Sequence, residues 1–145
     1  MSLDRSLEIS ISAIEAERQR MELISSNIAN VNTTRSIDGG PYRRRVAALE
    51  ENPLTFNDEL TAAEKKLGKQ SGGVRISEIT EDKTPLQKVY NPSHPDADKD
   101  GYVELPNVSL AKEMTDMVES SNMYSANVTA YNIGKKMITD TLTIQ

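Results

Sequence analysis

The residues from Asp96 to Val103 read Asp-Ala-Asp-Lys-Asp-Gly-Tyr-Val, with carboxylates at alternate positions and a glycine after the third. That order matches the first half of a calcium-binding EF-hand loop. Such a loop takes oxygen ligands at positions 1, 3 and 5, glycine at 6 and a bidentate glutamate at 12. Asp96, Asp98, Asp100 and Gly101 fill the first four, and Val103 fits the apolar position 8. Position 12 is Asn107, which cannot offer a bidentate carboxylate, and position 11 is Pro106. The preceding Asn91-Pro92-Ser93-His94-Pro95 cannot serve as an entering helix, because proline breaks a helix and restrains the residue before it. The sequence therefore favours a polar turn in which Asp side chains accept from nearby backbone amides and Gly101 takes a positive φ. A weak calcium site is the competing reading.

Other reactive groupings are sparse. His94, the single histidine, lies between two prolines and reads as a loop residue. Gly72-Gly73 is not followed by the Gly-Lys-Ser/Thr of a phosphate loop. No pair of carboxylates stands out as an acid and base, and with no cysteine there is no thiol nucleophile, disulfide or thiolate metal site. The sequence points to no catalytic residue, cofactor or metal ligand. Arg43-Arg44-Arg45 reads as a solvated strand or turn. A net charge of -5 argues against nucleic acid. No run approaches the roughly 20 apolar residues of a membrane span, and acids at 4, 8, 15 and 17 interrupt any secretory h-region.

The apolar residues gather at the two ends. In alternating steps of four and three, the C-terminal stretch gives Leu110, Met114, Met117, Ser121, Tyr124, Val128, Tyr131, Lys135, Ile138 and Leu142. Eight of these ten are apolar or aromatic, the period-3.5 mark of a helix buried along one seam. Asn107 or Ser109 is the candidate N-cap, and Glu113 and Asp116 complement the positive end of the helix dipole. At the N-terminus Leu7, Ile14, Met21 and Ile28 recur every seven residues, and Leu3, Ile11, Ile24 and Val31 widen the stripe. That helix should end near Asn30 or Asn32. Asn27 and Asn30 beside the stripe, and Ser121, Ser125, Asn127 and Asn132 on the other helix, suit close helix packing; a buried Asn fixes register.

The expected fold is mainly α: long N- and C-terminal helices paired as a coiled-coil-like unit, with a small irregular β-containing insert. Three segments follow: an N-terminal helix in 1–32, a connecting segment in 33–106 and a C-terminal helix in 107–145. The connecting segment holds all six prolines and six of the seven glycines. Within it, Tyr42 to Leu49 reads as a strand and Asp58 to Leu67 as a short helix. Val74 to Ser77 reads as a strand, Glu81 to Pro85 as a turn, and Leu86 to Tyr90 as the return strand. Ordering backbone costs about 1–2 kcal/mol per residue, against roughly 1.5–3 kcal/mol gained per buried Leu, Ile or Met. A two-helix hairpin with one narrow seam does not recover that cost. Both ends should pack against other molecules and be loosely ordered until they do.

Two stretches resemble a known family. Ser25 to Thr33, SSNIANVNT, closing an N-terminal amphipathic helix, is similar to the signature of bacterial flagellar axial proteins. The run from Tyr90 to Ile144, with its HPDAD, GYV, PNV and EMTDM segments, narrows the resemblance to the rod subunits of the basal body. Thr34 stands further from Gly39-Gly40 than in the shorter Thr-x-x-Gly form of those proteins. The resemblance implies a structural subunit without enzymatic activity or cofactor, resident in the periplasm-spanning rod. Its terminal helices would pair and line a helical tube. Its partners would be copies of itself, neighbouring rod proteins and the flagellar type III export apparatus, with no nucleic acid and no membrane span. The assembly interface would comprise Leu7, Ile11, Ile14, Met21, Ile24, Ile28, Leu110, Met114, Met117, Tyr124, Val128, Tyr131, Ile138 and Leu142. The alternatives are a calcium-binding regulatory module and a free-standing helical adaptor of a secretion system.

Overall fold

The structure, a computed structural model, describes residues 3–36, 39–52 and 72–143. The helix read over Asp58 to Leu67 lies outside the described residues. Helix α1 spans Leu3–Ala29. It ends where Asn30 turns its own side chain back, Nδ2 donating to the Ser26 carbonyl at 2.8 Å while the Thr33 hydroxyl donates to Asn30 Oδ1 at 3.1 Å. An amide that bonds its own backbone competes with helix propagation, and the helix closes at Ala29, beside Asn30, the earlier of the two expected ends. Strand β1 is Arg45–Glu51 and pairs with β2, Val74–Glu81. Strand β3, Gln87–Tyr90, pairs antiparallel with β4, Tyr102–Leu105, in the register Gln87 to Leu105 and Tyr90 to Tyr102. Helix α2 runs Leu110–Thr143. None of the helices described is long and apolar enough to cross a membrane.

The strand pairing differs from the sequence expectation. The turn at Glu81 to Pro85 does not fold β3 back onto β2; β2 takes β1 as partner, and β3 takes β4, Tyr102–Leu105, for which the sequence pattern suggests no strand. Alternation identifies a strand, but it says nothing of the partner, which tertiary packing chooses.

The chain divides into two compact units. One comprises 20–47 and 79–120. Its interior holds Ile24, Tyr42, Val103 and Val108, together with the polar Asn27, Glu113 and Ser120. The other comprises 1–19, 48–78 and 121–145. Among its described residues the buried side chains are Ala16 and Glu17, and Gly73 is buried against Ser12 and Ile9. The less exposed positions of α2 are Glu113, Met117, Ser120, Tyr124, Asn127, Tyr131, Gly134 and Ile138, in steps of four and three, with Asp116 and Val128 beside them. Large side chains alternate along this stripe with small or polar ones. Met117, Tyr124, Val128, Tyr131 and Ile138 of the sequence-derived seam are among the less exposed positions, while its Leu110, Met114, Ser121, Lys135 and Leu142 are exposed.

Candidate assembly surface

In the unit of 20–47 and 79–120, four chain segments converge on three polar side chains. Glu113, with no exposed surface, accepts from Arg44 Nε at 2.5 Å and from Asn27 Nδ2 at 3.0 Å. Asn27, 1% exposed, spends its other atoms on the loop that follows α1. Its Oδ1 accepts from the Tyr42 hydroxyl at 2.9 Å and the Arg45 amide at 3.0 Å, and its Nδ2 also donates to the Arg45 carbonyl at 2.9 Å. Arg44 extends the network to Asp116 at 3.1 Å and faces Asp82 at 3.9 Å. Asn107 completes it: Oδ1 accepts from the Arg44 amide at 2.8 Å, and Nδ2 donates to the Asp82 carbonyl and the Thr84 hydroxyl. Asn107 therefore binds the connecting segment, and Ser109 occupies the cap position, its carbonyl accepting from the Glu113 amide at 2.9 Å.

The solvated reading of the arginine run is corrected here. Arg44 keeps only 14% of its side chain exposed, because Glu113 and Asp116 sit one turn apart on α2 and both face its guanidinium. Arg45 stays exposed, with its guanidinium 5.9 Å above the Tyr42 ring. Asp82 is held below the ordinary carboxylate range, first by the Thr84 amide, then by the Thr84 hydroxyl and the nearby positive charges of Arg44 and Lys112, against the opposing effect of desolvation.

The acidic loop folds as a turn. The Gly101 amide donates to the Asp98 carbonyl and the Asp98 amide to the Tyr102 carbonyl, each at 2.8 Å. Asp98 Oδ1 accepts from the Lys99 amide at 2.6 Å, and Asp96 accepts from the Thr34 hydroxyl at 2.8 Å while facing Arg35 at 3.5 Å. Gly101 has φ +80, and an added Cβ would lie 2.9 Å from Tyr90 Cε2, so both conformation and space demand glycine. His94 Nδ1 accepts from the Asp96 amide at 3.1 Å and braces the same loop.

In the unit of 1–19, 48–78 and 121–145, the glycine pair brings backbone against helix. Ser12 Oγ donates to the Ile9 carbonyl at 2.8 Å and accepts from the Val74 amide at 3.1 Å, anchoring the start of β2 on α1. A Cβ on Gly73, at φ +100, would stand 2.2 Å from that Oγ. Gly134 likewise admits Leu7, whose Cδ2 would be 2.8 Å from an added Cβ.

The sequence-derived interface residues fall into two sets. Ile24 is buried, and Leu7, Ile14, Met21, Ile28, Met117, Tyr124, Val128, Tyr131 and Ile138 are partly covered. Ile11, Leu110, Met114 and Leu142 are exposed, Leu142 to 68%. Sequence reasoning missed further exposed apolar residues on α2: Val118, Met123, Ile133 and Met137. The signal for the last three is a second period-3.5 line, Met123, Ala126, Ala130, Ile133 and Met137, one residue behind the covered stripe. A monomer seldom leaves such a face uncovered.

Two family models match the chain. One, described as flagella basal body rod protein, covers residues 7–35, and the other, flagellar basal body rod FlgEFG protein C-terminal, covers 99–144. The flagellar basal-body rod protein FlgC of Bacillus subtilis (strain 168) is 43% identical, over 99% of both chains. FlgC of Borreliella burgdorferi is 42% identical over 99% of this chain and 98% of its own length, and FlgC of Yersinia enterocolitica 35% identical over 99% and 98%. With identity at this level along its whole length, the chain belongs to the FlgC family of flagellar basal-body rod proteins.

Proposed function

We propose that the chain is a structural subunit of the bacterial flagellar basal-body rod. The observation that carries this is its similarity over 99% of its length to rod proteins of that name. It works by assembly with other rod proteins and performs no catalysis. α1 and α2 pair in a coiled-coil-like manner through residues that include Leu7, Ile14, Ile24, Met117, Tyr124, Tyr131 and Ile138. Two contacts support that reading, each within its own unit: Leu7 beside Gly134, and Asn27 bonded to Glu113.

The exposed Ile11, Leu110, Met114, Val118, Met123, Ile133, Met137 and Leu142 are the faces that neighbouring subunits cover, copies of this chain among them. Repeated head-to-tail contacts that do not close into a ring build a helical tube. Drying a half-exposed side chain of this size gives roughly 1 kcal/mol. Eight per subunit supply several kcal/mol toward the entropy of association. The subunit reaches the rod through the flagellar type III export apparatus. The test is removal of the residues from Lys136 onward: the truncated protein should be expressed at the normal level and abolish motility. A motile strain carrying the truncation would contradict this assembly mechanism.

A further inference from the structure

We infer that His94 is a proton-sensitive brace: its neutral imidazole holds the acidic loop of residues 91–101 in shape, and protonation releases it. The basis is one hydrogen bond and the atom that accepts it. His94 Nδ1 accepts from the Asp96 amide at 3.1 Å. An imidazole that accepts at Nδ1 carries its proton on Nε2, and an imidazolium has no acceptor at all. The bond reaches two residues along the chain. Asn, Asp or Ser ordinarily turns a chain this way, accepting from the amide two places on. An Asn here would make the turn at every pH. Histidine makes it only while neutral, and histidine changes charge between about pH 5 and 8. His94 is the chain's single histidine.

What the brace holds is Asp96, the point where the loop meets the connector that follows α1. The Asp96 carboxylate accepts from the Thr34 hydroxyl at 2.8 Å and faces Arg35 at 3.5 Å. Thr34 and Asp96 line a cavity of about 410 Å³ with Pro41, Asp98 and Tyr102, so the carboxylate has room to move. An imidazolium two residues away draws it from Thr34 by charge. The other charged groups around the loop do not compete for the proton. Arg35 is the connector's cation. On the β3–β4 pair, Lys88 meets Glu104 at 3.2 Å and Tyr90 stacks edge to face on Tyr102. On the loop, Asp98 accepts from the Lys99 amide, and Asp100 follows. Carboxylate, phenol, ammonium and guanidinium groups ordinarily keep one charge state across the histidine range. Release is also local. The His94 amide donates to the Asn91 carbonyl, the Ala97 amide to the His94 carbonyl and the Gly101 amide to the Asp98 carbonyl, and none of these bonds uses the imidazole.

Hydrogen exchange tests this, read by mass spectrometry on purified basal bodies that contain the full chain. It is compared at about pH 8 and about pH 5, with rates corrected for the intrinsic effect of pH. Pro95 has no amide hydrogen, so a difference confined to residues 95 and 96 belongs to Asp96. The Asp96 amide should lose protection about fivefold to tenfold at the lower pH, the scale of one hydrogen bond, while the Gly101 amide keeps its protection. His94→Asn, whose side-chain oxygen accepts at either pH, should protect the Asp96 amide at both. His94→Ala should leave it unprotected at both. Equal Asp96 protection at the two pH values in the unsubstituted chain would overturn the inference. So would a pH response that persists in His94→Asn, or protection that survives His94→Ala. The chain is read in place in the rod, so none of these results touches the rod assignment.

Discussion

A carboxylate with no exposed surface must find its partners inside the fold, and Glu113 finds Arg44 and Asn27. Removing one member of a buried pair leaves the other charged and dry, so Glu113→Ala should destabilise the chain by about 3–5 kcal/mol in urea unfolding. Asn27→Ala strips bonds from Tyr42, Arg45 and Glu113 at once and should cost about 2–4 kcal/mol. Ser120 has the opposite sign. Its Oγ is buried and finds no hydrogen-bond partner among the described residues. Ser120→Ala removes that liability and improves helix propensity, for a gain of about 0.5–1.5 kcal/mol. Asp82 gives a pH dependence. Its folded pKa is lowered, chiefly by the Thr84 amide. Its stabilising contribution is therefore full above the ordinary carboxylate range and fades as pH falls through the lowered value. Asp82→Asn should flatten the acid side of a stability–pH curve. At this scale the sequence was unevenly legible. The Asp96 to Gly101 turn was readable because its bonds are local. Arg44 looked solvated because the partner that buries it lies 69 residues away, and no local spacing encodes that.

Helices were the most legible elements, since a period of 3.5 repeated over many turns leaves few alternatives. The phase of α2 was harder. Apolarity alone picks Leu110, Met114 and Leu142, whereas the covered stripe runs through Glu113, Ser120, Asn127 and Gly134, every seventh residue small or polar. Pattern reading treats such residues as interruptions. Two of them meet α1 directly, Glu113 bonding Asn27 and Gly134 lying beside Leu7. Gly134 measures how tight that approach is. An alanine there would press on Leu7 Cδ2, the end of a flexible side chain that can change rotamer for about 0.5–1.5 kcal/mol. Replacing glycine in a helix interior returns about 1 kcal/mol. The two offset, so Gly134→Ala should change the melting free energy by less than about 1 kcal/mol. Gly134→Leu, whose longer side chain must displace the whole of Leu7, should lower the melting temperature more than alanine does. Gly73 admits no such compensation. Its φ of +100 and the Ser12 Oγ that an added Cβ would strike combine, and Gly73→Ala should cost about 2–3 kcal/mol and expose the amides at the start of β2 to exchange.

For the whole molecule, two kinds of apolar residue have to be told apart, those that hold one subunit together and those that join it to the next. Charge placed on the covered stripe should do both kinds of damage. Ile138 is partly covered, so Ile138→Asp puts a carboxylate on a half-buried face and should lower the helicity of the isolated chain and abolish motility. Charge placed on the exposed face should separate them. Leu142 is 68% exposed and one turn further along, so Leu142→Asp desolvates nothing in the free subunit. Its circular dichroism and urea midpoint should match the parent within about 0.5 kcal/mol. In the rod the same carboxylate would meet a neighbour's apolar surface, at a cost of several kcal/mol repeated at every contact along the tube. Motility should then be lost with expression and monomer stability intact. A motile Leu142→Asp strain would mean that this end of α2 faces solvent in the rod, and the assembly face would have to be sought among Leu110, Met114 and Val118 instead.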